Sequence, residues 1–64
     1  MKLNGEVITL SSPVCLKTLL TQQGYTDLRI AVELNGDIVP KDRYESTEIH
    51  DDDTLEVVSF VGGG

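Results

Sequence analysis

The chain has 64 residues, one cysteine and a net charge of -6, from 5 basic and 11 acidic side chains. A chain of this length forms one small domain that buries only about 60% of the surface its unfolded form exposes, which leaves no space for a deep active site beside a core. A lone cysteine excludes an internal disulfide, and the acidic balance argues against nucleic acid, whose phosphates require clustered Lys and Arg.

Met1, Lys2 and Leu3 open a strand, and Asn4-Gly5 supplies the positive φ angles of a two-residue hairpin turn. Glu6 to Leu10, rich in β-branched residues, reads as the return strand, with Leu3, Ile8 and Leu10 on one face. Ser12 as a cap and Pro13 at the first position then start a helix of about three turns. Leu16, Leu19 and Leu20 form its inward stripe, and Gly24 stops it. Tyr25 to Leu28 connects to a strand from Arg29 to Leu34, whose Ile30, Val32 and Leu34 share a side. Asn35-Gly36 gives a second hairpin turn into Asp37-Ile38-Val39, which ends at Pro40 because proline cannot donate to a ladder. Lys41 to Tyr44 is a short turn or a single helical turn, and Glu45 to His50 is an extended connection anchored by Ile49. Asp51-Asp52-Asp53 makes a turn into the last strand, Thr54 to Phe60. Alternation there puts Leu55 and Val57 on one face and Glu56, Val58 and Phe60 on the other.

The expected fold class is α+β, a ββαβββ run in which one helix covers one face of a small mixed sheet and leaves the other face open. Val58 and Phe60, with Val61 after them, suggest a docking patch on the open face; alternatively, Phe60 folds over a sheet edge. Residues 1–61 form the domain and Gly62, Gly63 and Gly64 form a flexible tail. Glycines give that tail nothing to pack and many backbone states to lose. It is either a frayed terminus or an arm that can lie in a channel too narrow for a side chain, with a bare α-carboxylate at its tip.

Other chemistry-bearing residues point to ordinary roles. Cys15 reads as a small packing residue, although a helix start could lower its pKa. His50 has no second ligand for a metal, and the acidic triplet at 51–53 lacks the alternating oxygen spacing of a calcium loop. Lys41 and Arg43 either face solvent or pair with a partner. No nucleophile, acid and base set stands out, so the chain is not expected to be an enzyme, and neither a metal nor a bound cofactor is expected. No apolar run is long enough to span a bilayer and no signal-peptide pattern stands at the start, so the expected compartment is the cytoplasm.

Three stretches carry a family resemblance. Leu16-Lys17-Thr18-Leu19-Leu20 ahead of Gly24, the block Ala31-Val32-Glu33-Leu34-Asn35-Gly36-Asp37-Ile38-Val39-Pro40, and the ending Ile49 to Val58 followed by Gly63-Gly64 together resemble the ThiS family of sulfur carrier proteins. The Asn-Gly-x-x-Val-Pro block is the most specific of the three. The resemblance implies a ubiquitin-like β-grasp fold and a function in making the thiazole of thiamine. It implies that an E1-like adenylyltransferase of the ThiF type uses ATP to adenylate the Gly64 carboxylate. A persulfide from a sulfur-relay enzyme then converts it to a thiocarboxylate, and thiazole synthase of the ThiG type takes up the sulfur. Gly62, Gly63 and Gly64 would thread into the partner, and Val58, Phe60 and Val61 would dock the body. Asp52 stands where the family usually has glycine, which implies a left-handed turn under local strain. A MoaD-like carrier for molybdopterin or another pathway, a ubiquitin-type protein modifier and a plain interaction module remain as alternatives.

Overall fold

The computed structural model describes residues 1–25 and 29–60, so the expectations for the connection at 26–28, for Val61 and for the glycine tail lie outside the described residues. In chain order the elements are β1 (Lys2–Leu3), β2 (Glu6–Val7), β3 (Val14–Cys15), α1 (Leu16–Gln22), β4 (Ile30–Leu34), β5 (Asp37–Val39), a 3-10 helix (Lys41–Arg43), β6 (Glu48–Ile49) and β7 (Thr54–Ser59).

The first hairpin forms at Asn4-Gly5, with Leu3 opposite Glu6 and Lys2 opposite Val7. Asn4 takes a φ of 52° and Gly5 one of 85°, the left-handed pair that a two-residue turn requires. The return strand is shorter than expected. Ile8 still donates its N–H to the Met1 carbonyl at 2.8 Å, but the Leu10 N–H donates to Asp51 Oδ1 at 2.8 Å, and the chain has left the ladder. Leu3 is buried on the expected face, with Ile8 and Leu10 packed against the same core.

The helix start is also corrected. Val14 and Cys15 form a strand paired antiparallel with β6, Val14 opposite Ile49 and Cys15 opposite Glu48. Ser12 therefore does not cap α1, Pro13 does not open it, and the helix has only 7 residues. The physical reason is a tertiary cap. The Leu16 N–H donates to the Thr47 carbonyl at 2.8 Å and the Lys17 N–H to the Tyr44 carbonyl at 3.1 Å, so backbone from the 44–47 connection satisfies the first helical amides. The C-terminus matches expectation. Gly24 has a φ of 89°. Its N–H reaches the Thr21 carbonyl at 3.1 Å, and the Tyr25 N–H reaches the Leu20 carbonyl at 2.8 Å, the paired bonds of a Schellman motif.

Asp52 does not adopt a left-handed conformation, contrary to the strain implied by its place in the family pattern. Donation from the Asp53 N–H to the His50 carbonyl at 3.0 Å closes the 50–53 turn, and the His50 N–H donates back to Asp53 Oδ2 at 2.7 Å. A turn closed in this way with both central φ angles negative accepts aspartate as readily as glycine.

The main sheet has the order β2-β1-β7-β4-β5, with β3 and β6 in a separate two-stranded ladder. β7 is central, parallel to β1 and antiparallel to β4. Leu16, Leu19 and Leu20 of α1 share one core with Ile30, Val32, Leu55, Val57 and Ile49, as the two periodicities predict. Among the described residues no helix is long and apolar enough to cross a membrane.

Candidate functional site: the open sheet face

Residues opposite each other in a ladder share a sheet face, so the register maps the side that α1 leaves open. Ile38, Glu33 and Glu56 form one row across β5, β4 and β7. Ala31 and Val58 form the next row. Beyond them the Phe60 N–H donates to the Arg29 carbonyl at 2.8 Å, which carries the β4–β7 ladder one step further. Lys2 lies opposite Thr54, and Val7 lies opposite Lys2, at the far side of the face.

Ile38 is 65% exposed and Val58 and Phe60 are each 55% exposed. Phe60 therefore does not fold into the interior over a sheet edge. It directly follows the last residue of β7, in the register position that alternation assigns to the side of Val58. Among the described residues Glu33 and Glu56 form no ion pair, although they stand directly opposite each other.

The strand bearing this face is held by both hairpin turns. Asn4 Oδ1 accepts the Val57 N–H at 2.8 Å, and its Nδ2 donates to Tyr25 Oη at 3.1 Å. Asn35, also left-handed with a φ of 52°, accepts the Thr54 N–H at 2.9 Å and donates to Asp53 Oδ1 at 2.9 Å. In the sequence each Asn-Gly pair signals only a turn. That both asparagines also clamp β7 follows from a long-range pairing that no local pattern encodes.

The remaining candidates lie away from this face. The Cys15 thiol, half-buried, donates to the Glu45 carbonyl at 3.4 Å. The Thr18 amide at the helix start draws its pKa down against the opposing effect of partial burial. His50 Nε2 lies 3.2 Å from Glu48 Oε1, and Lys17 pairs with Glu45 at 3.5 Å. Lys41 and Arg43 stand on the exposed 3-10 helix. Among the described residues no three His, Cys, Asp or Glu side chains converge to hold a metal ion.

The Leu10 amide first, and then the α-ammonium of Met1 at 3.2 Å, hold the Asp51 carboxyl below the usual carboxylate range. Burial alone would push Asp53 up, but hydrogen bonds from Asn35 Nδ2 and the His50 amide outweigh it and hold the group low.

A single helix packed on a mixed sheet, with a central last strand parallel to the first, defines a ubiquitin-like β-grasp protein. Within that class the ThiS family profile matches residues 1–64, and the chain belongs to the ThiS family. A crystal structure of the thiamine biosynthesis protein ThiS from Geobacter metallireducens superposes with a TM-score of 0.81 at 27% identity, covering 98% of this chain and 96% of that one. The sulfur carrier protein ThiS of Bacillus subtilis is 34% identical over 65 residues, covering 100% of this chain and 98% of that one. A thiazole synthase of Paramagnetospirillum magneticum is 40% identical over 62 residues, covering 97% of this chain but 19% of the synthase.

Proposed function

We propose that this chain is a sulfur carrier for thiazole formation in thiamine biosynthesis, a protein co-substrate and not an enzyme. The observation that carries the reading is the ThiS family match across all of residues 1–64. It is supported by the name of the Bacillus relative and by the synthase in which a similar unit makes up 19% of a longer chain.

The working group is the α-carboxylate of Gly64. An α-carboxyl group ordinarily has a pKa of about 3.5 and is ionised at neutral pH, and resonance makes the carboxylate a poor electrophile. Activation is therefore needed. A carboxylate oxygen attacks the α-phosphorus of ATP on a ThiF-type E1-like adenylyltransferase, pyrophosphate leaves, and an acyl-adenylate forms. A persulfide sulfur from a relay enzyme then displaces AMP. Reductive cleavage of the resulting sulfur–sulfur bond by a thiol leaves the thiocarboxylate, which a ThiG-type thiazole synthase consumes.

The folded body supplies address and reach. Residues 61–64 can extend at most about 14 Å beyond Phe60, so the activating centre must approach that close to the end of β7. Val58, Phe60 and Val61 provide the apolar contact there, and Gly62, Gly63 and Gly64 pass through a channel without side chains that would clash. The setting is the cytoplasm, where ATP and the relay enzymes operate.

Intact-mass spectrometry tests this. After incubation with ATP, the adenylating enzyme and a persulfide donor, the protein should gain the mass of one oxygen replaced by sulfur, localised to Gly64. An unchanged mass with active partners refutes the proposal. Isopeptide-linked adducts on lysines in cells would instead mark a protein modifier.

A further inference from the structure

We infer that Asn35 is a site of spontaneous deamidation, and that conversion of its side-chain amide to a carboxylate unfastens the start of β7. The reaction needs only this chain and water, so it stands apart from the sulfur-carrier reading.

The chemistry begins in the sequence. Both asparagines of the chain, Asn4 and Asn35, precede a glycine. The amide nitrogen of that glycine can attack the asparagine Cγ, with no glycine side chain to hinder the approach. A carbon–nitrogen bond forms, the side-chain nitrogen leaves as ammonia, and a cyclic imide closes. Water then opens the imide at either carbonyl and leaves aspartate or isoaspartate. Both turns are exposed, and a Cβ placed on Gly5 or Gly36 would meet no atom within 4 Å. Neither turn is sheltered from water.

The two sites differ in what the amide nitrogen touches. Asn35 Nδ2 donates to Asp53 Oδ1 at 2.9 Å, while its Oδ1 accepts the Thr54 N–H at 2.9 Å. Burial pushes the Asp53 carboxyl up, but the hydrogen bonds from Asn35 and the His50 amide outweigh it, so Asp53 has no proton to give in return at neutral pH. Replacing Nδ2 by an oxygen sets two carboxylate oxygens at the 2.9 Å now spanned by that hydrogen bond. They must separate, and Asp53 also accepts the His50 N–H at 2.7 Å, so the 50–53 turn is disturbed with the start of β7. Asn4 Nδ2 instead donates to the Tyr25 hydroxyl at 3.1 Å, and its Oδ1 accepts the Val57 N–H at 2.8 Å. A hydroxyl can turn its proton round and donate to a carboxylate, so the aspartyl product at that position keeps both contacts. One turn tolerates the exchange and the other does not.

The same bonds set the rate in the folded chain. Ring closure carries Cγ toward the glycine nitrogen, which the side-chain hydrogen bonds oppose, so reaction waits on local opening of the turn. Losing the bond to Asp53 frees Asn35 and not Asn4.

The test ages the full chain in warm, mildly alkaline buffer, and peptide mapping by mass spectrometry reads the exchange of NH2 for OH at each asparagine. Asp53→Ala should speed conversion at Asn35 at least about threefold and leave Asn4 at its natural rate, which serves as the internal clock. Urea unfolding of unaged variants reads the consequence. Asn35→Asp should lower the folding equilibrium constant at least about tenfold, whereas Asn4→Asp should leave it at the natural value. Combining Asn35→Asp with Asp53→Asn again faces one amide with one carboxylate, the donor reversed, and should recover most of the loss. An Asn35 that stays unconverted while Asn4 reacts overturns the inference. So does equal acceleration of both sites in Asp53→Ala, an Asn35→Asp chain that unfolds at the natural midpoint, or a combined variant no more stable than Asn35→Asp alone. A chain that never accepts sulfur at Gly64 leaves every one of these readouts in place, so the two proposals fail separately.

Discussion

At the scale of single residues, the two turn asparagines do more than their neighbours. Asn35 bears a left-handed backbone, caps the start of β7 and holds Asp53. Asn35→Ala loses these hydrogen bonds and keeps the unfavourable φ, which should cost about 2 kcal/mol, whereas Asn35→Gly relieves the backbone and should cost about 1 kcal/mol. Urea titration of both variants checks the order, and an alanine milder than glycine contradicts it. The aspartates at 51 and 53 predict the acid response. Both carboxyls are held below their ordinary value in the fold, so each contributes stability that is present above the unfolded carboxylate pKa of about 4 and is lost as pH falls through the folded value. The melting temperature should therefore hold steady from pH 7 to about pH 5 and drop below about pH 4. Combining Asp51→Asn with Asp53→Asn should flatten that drop, and a double variant with the natural acid profile refutes the assignment.

At the scale of elements, the lesson is how a helix of 7 residues survives. An isolated helix this short is not stable in water, so α1 depends on its leucine stripe and on backbone partners at both ends. The connection at 44–47 supplies one end and Gly24 the other. A side chain at Gly24 meets no atom within 4 Å, so Gly24→Ala is penalised by its φ of 89° alone. It should cost about 1 kcal/mol, read as a lower unfolding midpoint with unchanged denaturant slope. Alternation and the Asn-Gly pairs made β4, β5 and β7 legible, β4 and β7 with their correct faces, because each is a local signal. The strand at Val14–Cys15 was not legible, since its partner lies more than thirty residues downstream and proline after serine reads locally as a helix start. The tertiary cap escaped the sequence for the same reason.

At the scale of the whole molecule, the body and the glycine segment answer to different tests. A domain of 64 residues carries only about 3–10 kcal/mol of stability, so losses in the core are soon fatal, while changes past Phe60 should leave folding untouched. Gly64→Ala should unfold at the natural midpoint yet be adenylated at least tenfold more slowly, and activation at the natural rate would remove the steric argument for a bare terminus. The open face carrying Val58 and Phe60 was legible because the strand period assigns sides. The Glu33–Glu56 pairing was not, because register between β4 and β7 is a property of the assembled sheet.

The central place of β7 has a mechanical consequence. The strand is gripped by five register pairs on one side and two on the other. A pull on its downstream end acts along the strand, across ladder bonds that run sideways to it. Those bonds bear the load in shear and must give way together, so a machine that draws on the terminus tugs against a strand held on both sides and not against an edge strand that can be peeled away.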